Sequence, residues 1–425
     1  MNIPEYVKNS VTPTYYWFRS KRADWRQSNE RGTPESSPFD SVLVICIDAL
    51  RPDSTPELPL SWDHAITPAP WTFPAVTGFL SGQYPSEHGA VAHTSPNDDS
   101  FAMPEQASPE RTLPQSFADA GFDTLGLFSF PIPFMASEGW FQKHRVWSDE
   151  PVETLVEYYR NWQRGRNRSF AYLHLGDLHA PIEPPERYVE KHDVDTSLPN
   201  LPHILEYTDD YDPADEDCRY YREQRLRLYA AAREYLEDTL NPLLSQQDES
   251  TLVVVFGDHG EAQWEHTQVD KRFTDSRPNY GTGHGGTPLD TVARVPVGSN
   301  RITPPTETTS LIDVPKTVLD VALDREIEEY DGVSWEEGVS SRPVRCEGSR
   351  YGAERKAVYL DDRKLIRSEQ DDVTLQARIT ESGEEFGADI DIDDLRSALP
   401  EDWDTESQAE TGRLVEGQLK ALGYK

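Results

Sequence analysis

An α/β fold, with a mostly parallel central sheet held between two helical layers, is predicted by three features of this 425-residue sequence. Four near-continuous apolar runs, rich in β-branched residues, recur at 41–47, 124–130, 170–175 and 251–256. Runs without polar alternation are the pattern of strands buried on both faces. Helical periodicity fills the intervals, over 113–120, 152–160 and 219–244. Alternation of strand and helix then favours parallel strands with helices on both sides, a three-layer α/β/α sandwich. Past about residue 325 the texture changes to short segments such as 357–360 and 364–367, which predict a small antiparallel sheet and a small C-terminal α+β subdomain.

In chain order, residues 1–40 form an extension. Its aromatic and basic stretch 15–22 suits a helix packed on the domain exterior, with a short interfacial helix as the alternative. Residues 41–325 form the main domain. The acidic run 208–217 reads as a solvated loop. Residues 326–425 hold the small subdomain and a helix-like acidic tail over 390–422. Cys46 lies within an apolar run and reads as a small core residue. The three cysteines have no metal-type spacing and suit a reducing cytoplasm.

Charge excludes several partners. Asp and Glu number 76 against 41 Lys and Arg, a formal charge of −35, and only 10 of the basic residues are lysine. Such a surface offers no basic stripe for a nucleic-acid backbone. Aromatic content of 10% argues against disorder. The composition resembles that of proteins working in molar salt, where charges are screened beyond about 3 Å. No stretch reaches the roughly 18–20 apolar residues of a membrane span, and no apolar core of a secretory signal is seen in residues 1–21. A soluble, cytoplasmic protein is expected.

In open α/β sheets ligands bind beyond the carboxyl ends of the strands. Asp48 follows the first run, and Asp258 and His259 follow the last. His174, Asp177 and His179 lie in or after the third. Each alone is an ordinary turn former or cap; together they are ligands of the O/N type for a divalent cation. Thr72 stands two residues before Pro74, a proline suited to a first helical turn, so its hydroxyl sits where free N–H groups favour an anion. It is a candidate nucleophile, or simply an N-cap.

These segments, in this order, resemble the sulfatase branch of the alkaline phosphatase superfamily over roughly residues 41–370. The resemblance is carried by VLVICIDALRPD (42–53), WTFPAVTGFLSGQYPSEHG (71–89), LHLGDLHAP (173–181), FGDHGE (256–261), GHGGTPLDTVARVPV (283–297) and SLIDVPKTVLDVAL (310–323). It implies that Asp48, Asp258, His259 and the Thr72 hydroxyl hold one divalent metal (Mn, Zn, Mg or Ca). His179 and His284 would contact the transferring group or protonate the leaving oxygen. By analogy with two-metal relatives, Asp177, His179 and His284 could form a second metal site, although the Asp177-x-His179 spacing is shorter than usual there.

The sequence also departs from the sulfatase pattern. Where sulfatases carry the Cys or Ser that becomes formylglycine, this chain has Thr72, and Ala75 and Val76 replace the usual Ser and Arg. The paired acid after the first strand is reduced to Asp48-Ala49. Threonine cannot become an aldehyde hydrate, but it is the nucleophile of the phosphodiesterase and phosphotransferase branches. The expectation is therefore a hydrolase or transferase acting on phosphate mono- or diesters of small-molecule, glycan or lipid type through a covalent phospho-threonine. The alternatives are a sulfuric ester hydrolase without formylglycine and a non-catalytic ligand-binding relative. His266 reads as an exposed loop residue and His88 as structural.

Overall fold

The computed structural model describes residues 5–26, 32–91, 103–203, 212–275, 280–325, 327–380, 383–400 and 408–409. Seven strands, β1 (Ser41–Ile47), β2 (Ser61–Ile66), β3 (Asp123–Phe128), β4 (Lys143–Val146), β5 (Ser169–Leu175), β6 (Thr251–Gly257) and β7 (Arg294–Ser299), form the central sheet. Their order is β2-β7-β6-β1-β5-β3-β4. From β6 to β4 all pairings are parallel, while β7 is antiparallel to both β6 and β2.

Every residue of β1 is buried. Val42, Val44 and Cys46 enter one apolar cluster, and Leu43, Ile45 and Ile47 the other. Burial on both faces explains the unbroken apolar run, since neither side of the pleat meets water. The N-terminal helix α1 (Glu5–Arg26) is followed by α2 (Thr72–Ser81), α3 (Leu113–Asp119), α4 (Pro131–Ser137), α5 (Val152–Gln163), α6 (Glu216–Leu244) and α7 (Asp313–Leu323). Helices α2, α3, α4 and α7 pack on the first face. Helices α5 and α6 pack on the second, completing the three layers.

Helix α1 lies along edge strand β4. The Ser20 hydroxyl accepts from the Val146 N–H at 3.0 Å, and Asp24 accepts from the His144 N–H at 2.6 Å. Outward-facing strand groups are thereby satisfied, and the edge is covered. Among the described residues no helix is long and apolar enough to cross a membrane.

A second, antiparallel sheet comprises β8 (Val344–Cys346), β9 (Lys356–Leu360), β10 (Arg363–Ser368), β11 (Val373–Thr380) and β12 (Gly383–Phe386), paired in sequence order. Val344, Cys346, Ala357 and Ile366 pack with Ile66, Phe273 and Ala293 of the main domain. Of the tail expected over 390–422, a short helix at Asp393–Ser397 is described. Most of its remainder, and residues 208–211 of the acidic run, lie outside the described residues.

Strands β2, β4 and β7 escape sequence reading for physical reasons. β2 and β4 are edges with partly exposed residues, so neither shows a buried run. β7 contains Pro296, which cannot donate to a ladder and ordinarily argues against an internal strand.

Candidate active site and metal centre

The site forms at the carboxyl edge of the sheet, where β1, β5 and β6 end side by side. Asp48 leaves β1 with its N–H bonded to the Leu175 carbonyl at 2.9 Å. The next residue, Ala49, adopts a left-handed φ of 59°. Tyr229 of helix α6 holds this turn: its hydroxyl donates to the Ala49 carbonyl at 2.8 Å and accepts from the Arg51 N–H at 3.1 Å. On the other side of β1, Asp258 follows β6, and its carbonyl accepts a bond from the Thr67 hydroxyl.

Thr72 is the first residue of α2, a helix buried on every side. Trp71 occupies the N-cap position without a side-chain cap bond, so Thr72 is not the cap. Its Oγ1 lies 3.2 Å from Asp48 Oδ2 and 3.2 Å from His259 Nε2. Trp71 is held from the C-terminal segment, donating its indole N–H to the Gly348 carbonyl at 2.7 Å beneath the Arg350 guanidinium.

Asp48, Asp258 and His259 present ligand atoms within 4.8 Å of one another, all fully buried. Asp48 Oδ1 and Asp258 Oδ2 have no hydrogen-bond partner. Burial, reinforced by the Asp48 charge, pushes the Asp258 carboxyl above the ordinary carboxylate range. The imidazoles of His174 and His259 and the Thr72 hydroxyl offset only part of the cost of two buried carboxylates this close together, and a divalent cation between them would remove the rest. The donor set fits such an ion.

His179 and His284 also converge here. The His284 ring is 4.2 Å from that of His259 and 5.1 Å from that of His179. His284 sits between two left-handed glycines, Gly283 (φ 75°) and Gly285 (φ 78°). Its Nδ1 is 2.7 Å from Glu261 Oε2. His179 stacks on Phe130 and donates Nδ1–H to the Ala180 carbonyl at 2.7 Å.

Asp177 is not brought to these histidines. Its Oδ1 accepts the Val152 N–H at 3.1 Å, at the start of α5. Among the described residues Asp177, His179 and His284 do not form a metal-type cluster: the turn after β5 sends residue 177 toward the helix terminus and residue 179 into the site. Burial pushes the Asp177 carboxyl up to about 7. Folded chains then hold a proton that unfolded chains release above the ordinary 3.8, so stability falls as pH rises from about 4 to about 7. Asp177→Asn, which keeps an acceptor for Val152, is expected to be more stable than wild type at pH 8 by about 2 kcal/mol, the residue being partly exposed. The gain should vanish near pH 4, and bound metal should be unchanged. Urea titrations at both pH values, with metal analysis, check this; a loss of metal would return Asp177 to the site.

Two residues given no role by the resemblance also belong here. Glu261 backs His284. His174, the penultimate residue of β5, places Nε2 3.0 Å from Asp48 Oδ2 and 3.9 Å from Asp258 Oδ2. The sequence already groups His174 with the ligand candidates at the strand ends, whereas no sequence signal singles out Glu261. Cys46 is buried as expected, and its sulfur groups with His174 and Asp258. His88 is partly buried in its turn, its Nδ1 accepting the Ala90 N–H at 3.0 Å. His266 is half-buried against Phe386 rather than fully exposed.

Carboxylates, imidazoles and a helix-terminal hydroxyl gathered at the end of a doubly covered parallel sheet define a hydrolase of the alkaline phosphatase superfamily. A model of the sulfatase family matches residues 51–324, and the chain belongs to that family. No curated protein sequence matches the chain. Among solved structures, BT4656 in complex with its substrate D-glucosamine-2-N,6-O-disulfate is similar at 12% identity, with a TM-score of 0.60 and coverage of 80% of this chain and 91% of that one. BT1596, a 2-O GAG sulfatase, is similar at 16% identity, TM-score 0.52, covering 80% and 85%. The phosphonate monoester hydrolase SpPMH from Silicibacter pomeroyi is similar at 13% identity, TM-score 0.53, covering 81% and 90%. At these identities the likeness is one of fold.

Proposed function

We propose that this sulfatase-family chain is a metal-dependent phosphate-ester hydrolase or phosphotransferase with Thr72 as its nucleophile. One observation carries the reading: where a formylglycine precursor would stand there is a threonine, whose Oγ1 lies 3.2 Å from both Asp48 and His259 at the N-terminus of α2. Asp48, Asp258, His259 and Thr72 would hold the ion. When bound, it would lower the pKa of the Thr72 hydroxyl and neutralise charge on the phosphoryl oxygens.

The chain's own groups then divide the work. The start of α2 and its N–H groups orient the anionic ester in line with Thr72. The ionised Oγ1 forms a bond to phosphorus as the bond to the leaving oxygen breaks. His284, steadied by Glu261, gives that oxygen its proton. An arriving anion supplies His179 with the counter-charge that burial denies it, since burial holds its imidazole down at about 4. Water, or an acceptor alcohol, then attacks the phospho-threonine, releasing phosphate or the new ester and restoring Thr72. The acid-rich surface fits operation in a salt-rich cytoplasm.

A second reading, direct transfer of sulfate to Thr72, is favoured by the sulfatases among the similar structures. The deciding experiment incubates the protein, in high salt with a divalent metal, with aryl phosphomonoester, phosphodiester and sulfate ester, and follows turnover and intact mass. Phosphate-ester turnover with a phosphate adduct mapped to Thr72 is expected. Sulfate-ester turnover alone would select the second reading, and no turnover of any ester would make the protein a ligand-binding relative.

A further inference from the structure

We propose that His174 is an additional ligand of the metal site, and that it makes the site selective for a borderline transition ion, Zn²⁺ or Mn²⁺, over Ca²⁺ and Mg²⁺. The inference rests on the metal-dependent reading above and specifies its ion.

Strand register supplies the placement. His174 pairs with Cys46 of β1, so its side chain stands beside the end of β1, where Asp48 emerges. Nε2 is 3.0 Å from Asp48 Oδ2 and 3.9 Å from Asp258 Oδ2. His259 Nε2 occupies a comparable position, 3.4 Å from Asp48 Oδ1 and 3.6 Å from Asp258 Oδ2. Ligands held at about 2.0–2.2 Å from a shared ion lie roughly 3–3.5 Å apart. Both imidazoles meet that spacing at Asp48 and lie within a few tenths of an ångström of it at Asp258.

Orientation of the rings gives an independent argument. His259 Nδ1 donates to the Gly260 carbonyl at 2.9 Å, and His174 Nδ1 meets the Tyr172 hydroxyl at 3.0 Å. At His259 the carbonyl fixes the tautomer and aims the Nε2 lone pair, as in metal-bound histidines generally; at His174 the Tyr172 hydroxyl, which can donate or accept, holds the ring with Nε2 toward Asp48. Asp48 Oδ1 and Asp258 Oδ2, buried and without hydrogen-bond partners, face the same space.

Donor chemistry sets the selectivity. Ala49 brings no side-chain oxygen, and its carbonyl is engaged by Tyr229. The side chains present are thus two carboxylates, two imidazoles and the Thr72 hydroxyl. Ca²⁺ prefers six to eight oxygens, whereas imidazole nitrogens favour transition ions.

The test titrates the metal-stripped full-length protein with Zn²⁺, Mn²⁺ and Ca²⁺ by equilibrium dialysis and elemental analysis. It compares wild type with His174→Gln and Asp258→Asn. Zinc X-ray absorption then counts coordinated imidazoles. Wild type is expected to bind one Zn²⁺ or Mn²⁺ with Ca²⁺ at least about a hundredfold weaker, and its zinc spectrum should show two imidazoles and no sulfur. His174→Gln should lose Zn²⁺ affinity by about a thousandfold, beyond the roughly 10–100-fold that loss of an outer partner costs, and retain one imidazole. Should His174→Gln fail to fold, the wild-type imidazole count decides. One imidazole in wild type, a sulfur ligand from Cys46, unchanged affinity in His174→Gln, or preference for Ca²⁺ would overturn the inference while metal binding stands. No stoichiometric metal in wild type would overturn the metal-dependent reading as well.

Discussion

Thr72→Ala is expected to lower turnover of the preferred ester by at least about a thousandfold, because loss of a covalent nucleophile leaves only binding and electrostatic contributions. The fold should survive. Thr72 is one buried methyl and hydroxyl on a helix whose packing rests on Phe73, Val76 and Phe79. Metal binding should largely persist, since Asp48, Asp258 and His259 remain. Thr72→Ser should keep both turnover and a covalent adduct, displaced to the serine. Steady-state kinetics, intact mass and metal analysis on the three proteins check this. Turnover in Thr72→Ala above about a hundredth of wild type would place the nucleophile elsewhere.

Arg355→Met is expected to cost about 3–5 kcal/mol of stability at neutral pH, the usual penalty for leaving buried carboxylates without their cation. The Arg355 side chain is fully buried. It donates to Asp275 at 3.2 Å, to the Thr274 carbonyl at 2.7 Å and to the Thr287 hydroxyl at 3.1 Å. Asp270 lies 3.7 Å away and itself accepts the Gly281 N–H at 2.7 Å. This network ties the C-terminal segment to the turn carrying His284, so turnover should fall along with stability. Denaturant titration of both proteins gives the comparison; a loss below about 1 kcal/mol would mean the aspartates find other partners.

The way these residues meet explains why only part of the site could be read in advance. Asp48, Asp258 and His259 stand immediately after apolar runs, and such runs identify themselves because both faces of each strand are buried. Thr72 was legible because Pro74 marks the start of a helix. Asp177 and His179, two residues apart, differ in destination because of the turn between them, and spacing alone does not encode its path. Glu261 acts through a histidine 23 positions away. The clamp of Gly348 on Trp71 joins residues 277 positions apart.

The sequence by itself determined the layered α/β architecture, the strands at its centre and the residues at their ends, because burial and local helix signals are written in contiguous stretches. Only the tertiary structure decided that Asp177 turns away, that His174 lies against Asp48 and Asp258, that Glu261 joins the site, and that the C-terminal segment holds the start of α2. Those outcomes depend on which strand ends lie side by side and where each turn points its side chains. Contacts between distant segments set both.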